Sequence, residues 1–201
     1  MGIVERRERE RSEIRVKILD AARELFAKEG YEHVTMRRIA DAIEYSATTI
    51  YNYFEDKDDL VKALCEEDFA RLLGALQAAP RPTDPVDAIR QLGRAYCQFA
   101  IDYPNHYRFM FMTPDKMEHP EPESPGFQSF GVLRALVDGA IAAGRFEPGD
   151  PDTIAQVLWA SIHGAVALLI SIKPQHWPCS PKPDLVDQVI DNSTRGFLRK
   201  K

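Results

Sequence analysis

Apolar residues recur along most of this chain at intervals of three and four, with polar residues between them. A period near about 3.6 predicts amphipathic helices, and strand-like alternation is hard to find. Ser12 reads as the N-cap of a first helix running to about Lys28. Ile14, Ile18, Ala22, Leu25 and Phe26 form its core face, and Gly30 stops it. Thr35 then caps a short helix with Ile39, Ala40 and Ile43 on one side. The period breaks at Glu44-Tyr45, and Ser46 caps a second short helix from Ala47 to Phe54 in which Ile50, Tyr53 and Phe54 face inward. Asp56 with Asp59 three residues on is similar to a capping box, with Asp in place of Glu. Two helices this short around a tight turn predict a helix-turn-helix unit.

Downstream, a long helix from Lys57 to about Ala78 carries Leu60, Leu64, Leu72, Leu73 and Leu76 inward, until Pro80 and Pro82 end it. Pro85 opens a helix holding Ile89, Leu92, Tyr96, Phe99 and Ala100. Tyr103-Pro104 leads into a short aromatic-rich helix, and Thr113 to Pro125 reads as a long loop. A helix from about Gly126 to Ala143 ends at Gly144. Asp150 or Asp152 caps the next, to about Ile172, with a broad apolar band. Asp184 caps the last, whose apolar face takes in Leu185, Val186, Val189, Ile190, Phe197 and Leu198. The expected fold is all-α with about nine helices. Residues 1–56 are expected to form a three-helix DNA-binding domain, and residues 57–201 a helical domain for ligand binding and dimerisation.

Charge narrows the partners. The net charge of −5 argues against a general nucleic-acid coat, and residues 1–57 carry 11 Lys and Arg against 12 Asp and Glu. DNA affinity must then come from where the cations sit and from helix N-termini. Glu5 to Arg15 reads in two ways: a solvated, frayed helix start, or an arm whose Arg6, Arg7, Arg9 or Arg11 reaches phosphates or the minor groove. Three cysteines, odd in number and without metal spacing, fit a reducing cytosol. The charged N-terminus predicts no secretory signal. No apolar run is expected to span a bilayer, so the chain is expected to be soluble and cytoplasmic.

Within the motif, Ser46, Ala47, Thr48 and Thr49 open the recognition helix, the part expected to meet DNA in the major groove. Tyr51 and Asn52 suit phosphates or an adenine edge, and Thr35 and Arg37 suit the backbone from the preceding helix. Lys57 adds a cation to a positive helix end, which an anionic partner would repay. Tyr53 and Phe54 read as core, and Arg38 as surface charge.

These residues resemble the TetR family of transcriptional regulators. The family's pattern of Thr, Ile-Ala, Ser, Ile-Tyr, aromatic-Phe, Lys and Leu is met by Thr35, Ile39-Ala40, Ser46, Ile50-Tyr51, Tyr53-Phe54, Lys57 and Leu60. Two positions depart from it: Glu44 stands where the family usually has Gly, and Tyr45 where Val is common. A left-handed Glu44 would cost about 1 kcal/mol. Trp159 with His163-Gly164 resembles the signature of a subset of the family's C-terminal domains. The resemblance implies phosphate contacts at Tyr51 and Lys57 and an effector that tilts the long helix and changes the spacing of the DNA-reading heads.

Such an effector must favour one state by its own differential affinity. Tyr96, Phe99, Tyr107, Phe111, Phe130, Trp159 and His163 would line a mostly apolar pocket, and the same seven also read as ordinary core. His163 has no second His or Cys one turn away, so neither a metal nor another cofactor is expected. The last two helices carry more apolar surface than one small bundle buries, which predicts a homodimer through a four-helix interface. Its two recognition helices would then meet a palindromic double-stranded operator. An enzyme is not expected, because no nucleophile motif, glycine-rich phosphate loop or spaced carboxylate pair is present. A repressor released by a small-molecule effector is the leading reading. An activator, or an effector-independent protein of the same fold, is the alternative.

Overall fold

The structure, a computed structural model, describes residues 2–112, 123–179, 181 and 183–200, without the side chains of Ile3 and Met112. Among these residues nine α-helices occur: α1 Ile3–Glu29, α2 Met36–Ala42, α3 Ala47–Tyr51, α4 Lys57–Gln77, α5 Pro85–Asp102, α6 Pro104–Met112, α7 Pro125–Ala142, α8 Pro151–Ser171 and α9 Leu185–Arg195. Tyr31–His33 and Pro174–His176 are single 3-10 turns. The all-α expectation holds. Most of the expected loop after Thr113 lies outside the described residues.

The chain forms two compact units. The first comprises Met1–Asp68 with Asn105–His119, and the second Phe69–Pro104 with Pro120–Lys201. The core of the first is built from the inward faces of its helices: Ile18, Ala22 and Phe26 of α1, Ile39 of α2, Ile50 of α3, Leu60 and Leu64 of α4, and Phe109 of α6. A buried ion pair crosses this core. Arg23, on α1, donates from Nη2 to Asp68 on α4 at 2.8 Å, and His106 Nδ1 lies 2.8 Å from the same Asp68 oxygen. The side chains of Arg23 and Asp68 are 6% and 1% exposed, so each charge depends on the other.

In the second unit α5, α7, α8 and α9 pack on one another. The α5–α9 seam is tight: a Cβ on Gly93 would meet Ile190 Cδ1 at 3.3 Å. Ion pairs flank that contact, Arg94 to Asp187 at 2.7 Å and Arg90 to Asp191 at 3.0 Å. Asp84 and Asp150 cap α5 and α8 with their carboxylates, and Ser124 caps α7 with its hydroxyl.

Several boundaries differ from the sequence reading. The first helix begins at Ile3, not after Ser12, which is an exposed residue within it. The cause is local: Glu5 accepts the Gly2 N–H at 2.9 Å, and the pairs Arg6–Glu10 and Arg9–Glu13 sit four residues apart along the helix. The second short helix ends at Tyr51, because the N–H groups of Asn52 and Tyr53 turn to the carbonyls of Thr49 and Ile50 in 3-10 fashion. At the other end of the chain α9 stops at Arg195, so Phe197 and Leu198 do not extend its apolar face. They lie in a short tail instead, where Leu198 bridges to Phe146 and the Phe197 ring is 5.9 Å from the Phe146 ring. Asp184 precedes α9 without a side-chain cap bond. Finally, α8 is long and apolar enough by length and composition to cross a membrane, against the expectation that no segment is. It packs on α7, α5 and α9 within its unit.

Candidate nucleic-acid interface

The exposed face of α3 is created by two caps and one anchor. Thr35 Oγ1 accepts the Arg38 N–H at 3.1 Å and fixes the start of α2. Ser46 Oγ accepts the Thr49 N–H at 3.1 Å and fixes the start of α3. Between them Glu44 adopts φ 61°, the left-handed conformation that glycine takes without strain. Ile50 is fully buried and pins α3 to the core.

With Ile50 inward, Thr48, Tyr51 and Asn52 share one exposed face at three- and four-residue spacing, and Tyr51 is 53% exposed. Thr49 is half-buried and its hydroxyl lies 2.9 Å from Ser46 Oγ. Ala47 leans on the hydrophobic core. Arg37, on α2, is exposed with no ion pair among the described residues, whereas Arg38 pairs with Glu29 at 2.8 Å. Tyr53 and Phe54 pack at the core, and Arg11 and Arg15 of α1 lie over their rings at 5.8 and 5.5 Å. The turn into α4 closes as a shifted capping box. Asp56 accepts the Asp59 N–H at 2.8 Å, while Asp59 accepts the Glu55 N–H, not that of Asp56, at 2.9 Å.

Lys57 has partners within its own unit. Its ammonium donates to the Tyr31 carbonyl at 2.5 Å and lies 3.7 Å from the Tyr31 ring centroid. The Tyr31 hydroxyl in turn donates to Asp58 at 2.7 Å.

The seven residues expected around a ligand divide between the two units. Tyr107 and Phe111 belong to the first, their rings 4.9 Å apart, with Tyr107 fully buried. In the second, a polar relay runs through apolar surroundings. Trp159 Nε1 donates to the Tyr96 oxygen at 3.2 Å, and Tyr96 Oη is 2.9 Å from His163 Nδ1. Desolvation by burial lowers the His163 pKa, favouring the neutral imidazole. The Phe130 ring stands edge-on to Trp159 at 6.2 Å, and Phe99 is buried against Tyr103. Cys65 and Cys97 are pushed up to about 12, chiefly by burial, which leaves them unreactive thiols.

Two family models match the chain. Residues 18–64 match the bacterial regulatory proteins of the tetR family, and residues 89–192 match the tetracyclin repressor-like C-terminal domain. Over 58 residues the chain is 43% identical to the HTH-type transcriptional repressor AcnR of Corynebacterium diphtheriae. That match covers 29% of this chain and 30% of the relative, so it spans less than a third of that protein's length. The HTH-type transcriptional regulator RutR of Escherichia coli is 27% identical over 156 residues, covering 72% of this chain and 69% of its own. A crystal structure of a TetR family transcription regulator from Marinobacter aquaeolei superposes with a TM-score of 0.75 at 19% identity. It covers 96% of this chain and 100% of that one, a likeness of fold.

Proposed function

Because the chain belongs to the TetR family of bacterial transcriptional regulators, we propose that it is a dimeric repressor that holds a palindromic operator with α3 and lets go on binding a small-molecule effector. The observation that carries this reading is the α3 face itself. Thr48, Tyr51 and Asn52 are presented outward on a helix capped at its start and anchored by a buried Ile50. Thr48 offers a methyl and a hydroxyl to base edges, and Tyr51 and Asn52 suit the flanking phosphates or an adenine. Arg37 and the N-terminal turn of α2 after Thr35 add backbone contacts. The name of the relative AcnR, a transcriptional repressor, favours repression over activation.

Dimerisation is assigned to α8 and α9. Val157, Ala160, Gly164, Leu168 and Ser171 recur at three- and four-residue spacing on one exposed side of α8, with Val157 45% and Leu168 50% exposed. Small residues at Ala160 and Gly164 would let a second helix approach closely, and the exposed apolar ones would gain by burial. This also accounts for the apolar length of α8 without a membrane, and a cytoplasmic location fits. The effector is assigned to the second unit, where Tyr96, Trp159 and His163 supply polar groups among Phe99 and Phe130. The helix α4 has residues in both units and would carry the response.

The test begins with a library of random-sequence duplexes, from which the purified chain selects. A palindromic consensus, retained over a scrambled duplex and weakened by salt, is the expected result. Light scattering should give twice the mass of one chain. Selection without any preferred sequence would overturn the reading.

A further inference from the structure

The core face of α1 does not end where the core ends. Ile14, Ile18, Ala22 and Leu25 point into the first unit, and the same helical face continues backward as Arg11, Arg7 and Val4 at three- and four-residue spacing. Residues 4–13 are all exposed, Val4 at 68%. From Arg11 to Val4 this is roughly 10 Å of helix whose core-side face is exposed beyond the contact of Arg11 with the Tyr53 ring.

The acids of the same stretch sort its arginines into two sets. Arg6 pairs with Glu10 at 2.8 Å on the flank of the helix, and Arg9 with Glu13 at 3.6 Å on the side turned from the core face. Glu5 is drawn to the Gly2 N–H. Arg7 and Arg11 make no ion pair among the described residues, and they lie on the core face. Glu10 lies three residues from Arg7 and Glu8 three residues from Arg11, each about 60° around the helix, and neither closes an ion pair with that arginine among the described residues. Arg11 is further held by the Tyr53 ring, 5.8 Å from its guanidinium. Tyr53 follows Tyr51 by two residues, so the stripe starts beside the end of the recognition helix.

We infer that Arg7 and Arg11 form an extension of the DNA-binding surface that grips the sugar-phosphate backbone beside the stretch read by α3. This rests on the proposed operator binding and adds to it two cations on an overhanging helix face. Guanidinium groups suit phosphate oxygens, and contacts of this kind fix register without reading sequence. Residues 4–13 hold four arginines and four glutamates, so the pairing and not the total sets Arg7 and Arg11 apart.

The test compares two double substitutions of equal charge change in the full chain, Arg7→Gln with Arg11→Gln and Arg6→Gln with Arg9→Gln. Glutamine keeps the helix propensity close to that of arginine, and circular dichroism checks that it does. Affinity for the selected duplex is measured across a salt series. Losing two phosphate contacts should reduce the log–log salt slope by about 1.8 and weaken binding at least about tenfold at low salt. Losing Arg6 and Arg9 should change the slope by less than about 0.5. Equal effects from the two pairs, or none from the first, would overturn the inference while leaving operator binding by the wild type intact. A wild-type chain without sequence preference would instead remove the reading on which it rests.

Discussion

The Lys57 ammonium sits 3.7 Å from the Tyr31 ring centroid and donates to the Tyr31 carbonyl. The cation at the start of α4 therefore has an internal partner, and the positive helix end does not require an external anion to explain it. It ties the 3-10 turn after α1 to the first turn of α4.

Lys57→Met is accordingly expected to lower stability by about 2–4 kcal/mol, the sum expected of a cation–π contact and a charged hydrogen bond at a part-buried site. The salt slope of operator binding should stay that of the wild type. Chemical denaturation and a salt series measure the two separately. A slope reduced by about one with stability unchanged would return Lys57 to the phosphate backbone.

Glu44 sets the angle between α2 and α3 at φ 61°, and nothing about its side chain requires that conformation. Glu44→Gly should stabilise the chain by about 0.5–1 kcal/mol, after the greater freedom of glycine in the unfolded state offsets part of the relief. Glu44→Ala should show no such gain. Were alanine to stabilise as much as glycine, backbone strain would not be the cause.

The sequence carried these local devices because each depends on neighbours a few residues away. Thr35 and Ser46 cap with hydroxyls that reach the third residue onward, and Ile39, Ala40 and Ile50 fall inward by period alone. Glu44 was legible as a departure because its place is normally taken by Gly. What the sequence hid are partners far apart along the chain. Asp68 reads as one more acid in a charged run, yet it is buried against Arg23 and His106, 45 and 38 residues away. Phe197 and Leu198 continue an apolar period, but Arg199 N–H finds the Arg145 carbonyl and Glu147 N–H the Phe197 carbonyl, which draws the tail off the helix. Periodicity assigns a face and leaves its partner open. The overhang of α1 was half-legible: its charges were visible, but which arginines remained unpaired required the helix to be seen as continuous.

His163 gives a pH dependence with a definite sign. Desolvation holds its pKa below the ordinary 6.5, so between the folded value and 6.5 the unfolded chain binds more protons than the folded one. The stability contributed by the neutral imidazole is complete above pH 6.5 and is lost as pH falls through that window. His163→Gln should flatten the pH dependence of the melting temperature below 6.5 relative to wild type. The same slope in both proteins would mean that other groups carry it.

Gly164 separates the fold of one chain from the association of two. A Cβ there would meet nothing within 4 Å, so the unit itself has room for a larger residue. It stands mid-helix in α8, where glycine is less favourable than most residues by about 0.5–1 kcal/mol. Gly164→Arg should therefore leave the helical content unchanged and make an isolated chain slightly more stable. At the proposed interface the same side chain would force the two copies of α8 apart and bring two guanidinium groups together near the two-fold axis. The expected product is a monomer by light scattering, folded by circular dichroism, with operator affinity reduced at least about a hundredfold because only one half-site is then held. A variant that remains a dimer of wild-type affinity would show that the α8 stripe faces solvent in the assembly, and that the contact between copies lies elsewhere.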